Sequence, residues 1–186
     1  MRYFRILTDD SRFANRWFLD EPLGASGEEI DAREFTYGVR YAGPLPVSVP
    51  IDQPGRATAF NMAAFDMPVV TEEIARLVVS MGPQEVECFP VTIGSLLPGY
   101  TILNAVCLET CVDETRSEIM RWKHEDGRPD KVGRYRMVGN LTIDPTRVRN
   151  RHIFRIDDWE IALIVSERLK IALEAIPELG VVFSPV

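Results

Sequence analysis

The stretch WEIALIVSERLKIALEAIPELGVVFSPV, from Trp159 to Val186, changes its hydrophobic period twice. A short apolar run to Val165 reads as a buried strand, because it is far below helical or membrane-spanning length. Ser166 can cap a helix that brings Leu169, Ala172, Leu173 and Ile176 onto one face, and Val181–Phe183 returns to strand. A second helix follows Thr71 in PVVTEEIARLVVSMGPQ. Glu72 and Glu73 occupy its first turn, Ile74, Leu77, Val78 and Met81 keep helical spacing, and Gly82-Pro83 stops it. Elsewhere the apolar runs are short and β-rich. RYFRIL and RWFLD open the chain, EVECFPVTI and YTILNAVCL predict an antiparallel pair across GSLLPG, and EIMRWK, NLTID and RHIFRI follow. Between Glu21 and Pro54, proline and glycine predict irregular structure with one short strand near Val47–Ile51. No internal repeat or linker is visible. The expectation is one α+β domain over residues 1–186, mainly antiparallel sheet with two main helices.

The 186 residues suffice for a core, and a mean hydropathy of -0.06 is that of a globular chain. Arg5, Asp9 and Asp10 interrupt any leader-like apolar start, and no run approaches the roughly 20 residues of a membrane helix. Three cysteines are too few and too odd for a disulfide framework, so the expected compartment is reducing cytoplasm, away from membranes.

The net charge of -7 is unevenly spread, since ten Lys or Arg face four Asp or Glu between Arg121 and Arg155. An acidic body carrying a basic insert favours basic partners and disfavours direct nucleic-acid binding. The insert contains EDGRPDKVGRYR, which lacks the glycine spacing of a phosphate-binding loop; Gly127 and Gly133 fit tight turns instead.

Catalytic and metal patterns are weak. Cys107 and Cys111 have no second ligand pair, and His124 and His152 stand alone in sequence, so neither metal nor cofactor is expected. A hydrolase using Cys107 with His152, Cys111 with His124, or one of the carboxylate pairs is the alternative function left open by the residues. Ser166 reads as a cap, with no G-x-S-x-G elbow around it. Paired carboxylates are numerous and read as a solvated acidic surface suited to a basic protein. Trp17, Trp122 and Trp159 can each fill a core or anchor an interface; Trp159, which precedes an apolar strand, fits a core, and Trp122, between Arg121 and Lys123, fits either.

DGRPDKVGRYR, LTIDPTRV, HIFRIDDWEIALIVSERLKIALE and GVVFSPV, with MRYFRI, RWFLDEP, PVVTEEIARLV, VECFPVTI and YTILNAVCLE before them, together resemble the eleventh immunity-protein family of bacterial polymorphic toxin systems. That resemblance implies a cytoplasmic, non-enzymatic protein that binds and neutralises a cognate toxin, with a nuclease as the toxin class to consider. Partner-binding candidates are Asp9, Asp10, Asp20, Glu21, Glu28, Glu29 and Asp31, which can imitate a phosphate backbone, and Trp122, Arg128, Asp130, Lys131 and Arg134 of the charged loop. Those loop charges can equally pair among themselves.

Overall fold

The computed structural model describes residues 1–94 and 97–186, and of Leu97 and Pro98 only the backbone. Strand exceeds helix, 38% against 19%, in one α+β domain. The strands are β1 (Tyr3–Thr8), β2 (Phe18–Leu19), β3 (Ser48–Val49), β4 (Ile51–Gln53), β5 (Phe60–Met62), β6 (Pro68–Thr71), β7 (Val86–Ile93) and β8 (Leu97–Ala105). They continue as β9 (Leu108–Glu109), β10 (Glu118–Arg121), β11 (Tyr135–Gly139), β12 (Ile153–Ile156), β13 (Trp159–Ser166) and β14 (Val181–Pro185). Among the described residues the α-helices are α1 (Glu72–Met81) and α2 (Glu167–Glu174).

Two five-stranded sheets, ordered β14-β1-β13-β12-β9 and β3-β7-β8-β6-β5, carry the fold, with small pairs β10-β11 and β2-β4 beside them. Pairing is antiparallel except at β9 with β12 and β3 with β7. The central core gathers Phe4, Phe60, Val70, Leu103, Leu163 and Val165 from both sheets, together with Ile74 and Val78 of α1 and Leu169 and Leu173 of α2. A second core around Trp17, Phe35, Met67 and Ile93 lies under the irregular segment before β5, and a third around Phe154, Ile156, Trp159 and Ile164 under the segment between β9 and β12. Each sheet is thus buried on both faces, which explains why Ile153–Ile156 and Ala162–Ser166 show no polar alternation.

The sheets share one topology although the sequence shows no internal repeat. In one, β6–α1–β7 passes over β8; in the other, β13–α2–β14 passes over β1, and β5 or β12 precedes the unit as an antiparallel neighbour. Thr71 and Ser166 occupy equivalent helix starts, followed at the same spacing by Ile74 and Leu169, then Val78 and Leu173. The central strand comes after the unit in one half and from the chain start in the other, so a linear comparison does not show the match.

Other differences are local. Ser166 caps α2 by accepting from the Leu169 N–H at 3.3 Å, but the Thr71 hydroxyl makes no cap bond and is buried without a partner among the described residues. Pro50 divides the expected Val47–Ile51 strand into β3 and β4. NLTID contributes only an isolated bridge from Ile143 to Val112, whereas Tyr135–Gly139, read as loop, is β11. β8 starts at Leu97, inside the expected GSLLPG turn, of which Ser95 and Leu96 lie outside the described residues.

Candidate functional site

The charged loop closes the β10–β11 hairpin. Its two short 3-10 turns, His124–Asp126 and Pro129–Lys131, are separated by Gly127 at φ 69°. Trp122 anchors the base, donating to the Arg134 carbonyl at 3.0 Å and accepting from the Gly133 N–H at 2.9 Å. Arg128 grips Asp130 through two bonds, of 3.0 and 2.8 Å, and Arg136 bonds Asp126. Arg136 and Lys131 lie over the Trp122 ring at 4.8 and 5.7 Å, where a cation gains from the ring quadrupole. Arg134 ties the loop to the body, pairing with Asp158 at 3.1 Å and with Glu160. Most of the loop's charge is therefore internally compensated. At its base Tyr135 donates to Glu114 at 2.7 Å, and burial followed by that carboxylate pushes its phenol up to about 12.

Across from the loop stand the turns that lead into β6 and β13. Phe65 and Asp66 both adopt left-handed backbone, φ 53° and 58°; aspartate tolerates this, but phenylalanine is strained there. The Phe65 ring is 51% exposed, with the Arg33 guanidinium stacked on it at 4.6 Å. Loop, turns and the Arg33–Tyr37 segment enclose an open cleft of about 600 Å³, a volume typical of ligand pockets. Five cations (Arg33, Arg128, Lys131, Arg134, Arg136) and four carboxylates (Asp66, Asp130, Asp158, Glu160) line it, with Trp122, Trp159, Tyr37 and Ile161 between them.

Arg155 lies against the same wall and is completely buried. Its terminal nitrogens donate to the Glu160 carbonyl at 2.6 Å and the Asp66 carbonyl at 3.4 Å, while Nε has no partner among the described residues. Desolvation pulls its guanidinium down to about 10, against the opposing pull of the Asp66 and Glu160 charges.

The structure brings Trp122, Arg128, Asp130, Lys131 and Arg134 together in this cleft. Of the acidic candidates, Asp20, Glu21, Glu28, Glu29 and Asp31 belong to one local fold. The Ile30 N–H bonds the Pro22 carbonyl, and Glu21 accepts from the Ala32 N–H at 3.1 Å. Glu28 and Glu29 are exposed and are not among the residues that line the cleft, whereas Asp31 pairs with Arg33, which does line it. Asp10 is exposed and bonds Arg16 at 3.1 Å. Asp9 is set apart: it is buried at 3% exposure, accepting from Ser11 Oγ at 2.7 Å and the Arg12 N–H at 3.1 Å, which holds its carboxyl below the ordinary range. It secures the turn after β1.

Sequence reading missed Arg33, Phe65, Asp158 and Glu160 as neighbours of the loop. The aromatic-acidic AAFDMP between two apolar runs was the one available signal.

Cysteine chemistry is poorly served. Burial raises the thiols of Cys88 and Cys107, and with Glu109 nearby it pushes Cys111 to about 12, so all three are held away from thiolate. His152 Nδ1 does meet Ser166 Oγ at 2.9 Å, but this serine is fully buried and caps α2. No helix among the described residues is long and apolar enough to cross a membrane.

Comparison with known proteins gave no significant match among curated sequences. Residues 11–186, nearly the entire chain and all of the segments that build the cleft, match the immunity protein family Imm11, and the chain therefore belongs to that family.

Proposed function

We propose that this protein protects its producer in bacterial competition by binding a cognate toxin of a polymorphic toxin system and covering the toxin's working surface, with no bond made or broken. The observation that carries this is family membership over residues 11–186. The candidate site supports it: paired ions around aromatic side chains suit contact, and burial keeps the cysteines protonated. With three free thiols, cytoplasm is the fitting compartment.

The acidic segment Asp20–Asp31 suits a toxin with a basic substrate surface, and a nuclease is such a toxin. Asp10 adds to this charge, whereas Asp9 is occupied in its turn. An inhibitory interface of this kind buries about 1,200–2,000 Å² in total.

Co-expression with the product of the adjacent gene is the test. Restored growth and co-purification are expected; failure of both, or a turnover abolished by one side-chain change, overturns the proposal. Reversing Glu28, Glu29 and Asp31 to lysine should weaken binding, most clearly at low salt, as measured by titration calorimetry.

A further inference from the structure

We infer that the ribbon formed by β2, β4 and the chain beside them is the face that meets the partner: an apolar side chain of a basic protein surface sits against Phe18 and Ile51, and lysines or arginines around it meet the ribbon's carboxylates. This rests on the immunity reading and goes beyond it by adding β4 and the apolar contacts to the acidic segment.

Main-chain bonds make one surface of these segments. Phe18 pairs with Gln53 and Leu19 with Ile51, the Asp20 N–H donates to the Pro50 carbonyl at 3.0 Å, and the Leu23 N–H donates to the Ser48 carbonyl at 2.8 Å. Leu23 also bridges to Glu29. Asp52 of β4 is thereby tied to the acidic segment.

The packing of this chain does not account for β4. Ile51, Asp52 and Gln53 are all exposed, so the strand buries neither face, whereas an antiparallel strand on a folded body ordinarily turns one face inward. Among the described residues β2 is its only strand neighbour, and so short a pair gains little stability by itself. Ile51, Phe18 and Val47 are 38%, 40% and 44% exposed. Arg16 stacks on the Phe18 ring at 4.6 Å but is itself only 9% exposed, so it lies beneath the ring and leaves the outer side open. Apolar side chains grouped inside a charged rim mark a surface that another molecule covers.

Charge selects the occupant. Residues 17–32 and 41–55 contain six Asp or Glu and no Lys, Arg or His. The five arginines between Arg12 and Arg56 bracket these stretches, and each already has a carboxylate within 4 Å. Of the six acidic groups only Asp31 is ion-paired among the described residues, which leaves Asp20, Glu21, Glu28, Glu29 and Asp52 uncompensated. Such a face repels the phosphates of nucleic acid and an identical copy of itself, and it attracts a surface of lysine and arginine.

Two substitutions in exposed β4 test the inference in the intact protein. Ile51→Thr keeps the β-branch and Asp52→Lys reverses one charge, so each should melt within about 2 °C of the parent. Affinity for the co-expressed product of the adjacent gene should fall about 10-fold or more in each. Glu73→Lys makes the same change in net charge on α1, outside the ribbon, and should alter affinity by less than about 3-fold. Unchanged affinity in both β4 variants, with growth rescue by the parent intact, overturns the assignment of this face and leaves the immunity reading standing. Equal losses in Asp52→Lys and Glu73→Lys mean that affinity follows net charge alone, which also overturns it. A parent that neither rescues nor binds overturns the immunity reading and this inference with it. Self-association of the free protein in sedimentation, abolished by Ile51→Thr, assigns the face to a second copy and overturns the proposal.

Discussion

Thr71 and Ser166 begin equivalent helices, yet removing their hydroxyls should have opposite effects. Ser166 Oγ accepts from Leu169 N–H and contacts His152 Nδ1 at 2.9 Å. Alanine there forfeits a cap worth about 0.5–2 kcal/mol and a buried hydrogen bond worth about 1, together about 1.5–3 kcal/mol. The Thr71 hydroxyl is buried with no partner among the described residues, an arrangement that costs about 1–3 kcal/mol. Valine keeps the shape and the β-branching that suits the end of β6, so Thr71→Val should be neutral or stabilising by about 1 kcal/mol. In a chain this long, about 2–4 °C accompanies each kcal/mol. Ser166→Ala should therefore melt roughly 3–12 °C lower and Thr71→Val no lower than the parent. Urea unfolding followed by circular dichroism, with unchanged m-values, gives the same comparison as free energies. If Thr71→Val loses as much as Ser166→Ala, the threonine hydroxyl caps α1 in solution and the inferred asymmetry of the two halves is wrong.

Gly180 lies at φ 85°, where an added Cβ would stand 2.5 Å from Thr58 Cβ and 2.8 Å from the Phe60 carbonyl; Gly180→Ala should cost about 3 kcal/mol in urea unfolding. Gly127→Asn, at φ 69° with open space around it, should be nearly neutral in the same assay. The Asp9 carboxyl is held down chiefly by its Ser11 hydrogen bond, so its stabilisation is complete above the ordinary carboxylate value near pH 4 and disappears as pH falls through the lower folded value. Asp9→Asn should flatten the acid limb of stability below about pH 4, read by tryptophan fluorescence; an unchanged limb would contradict the hydrogen-bonded carboxylate.

Both helices, β1, β7, β8 and β13 could be read from consecutive residues, because period, cap and stop signals act within a few positions. The same holds for the uneven charge and for the segments that resemble the immunity family. β11 was hidden because glycine and charge in GRYR signal a turn, whereas pairing with Glu118–Arg121 makes its end a strand.

Partnership between distant segments was not legible in the chain. β1 lies between β13 and β14 and completes from the opposite end of the sequence the motif that β8 completes locally. That the loop's charges can pair among themselves was legible, but their pairing with the body was not, because only folding set Arg134 against Asp158 and Glu160 and placed Phe65 and Arg33 across from them. A backbone preference belongs to a residue and its nearest neighbours, so sequence carries it. Whether a charge is paired, or an aromatic ring uncovered, depends on groups tens of positions away, and these meet only when the sheets close around a shared core.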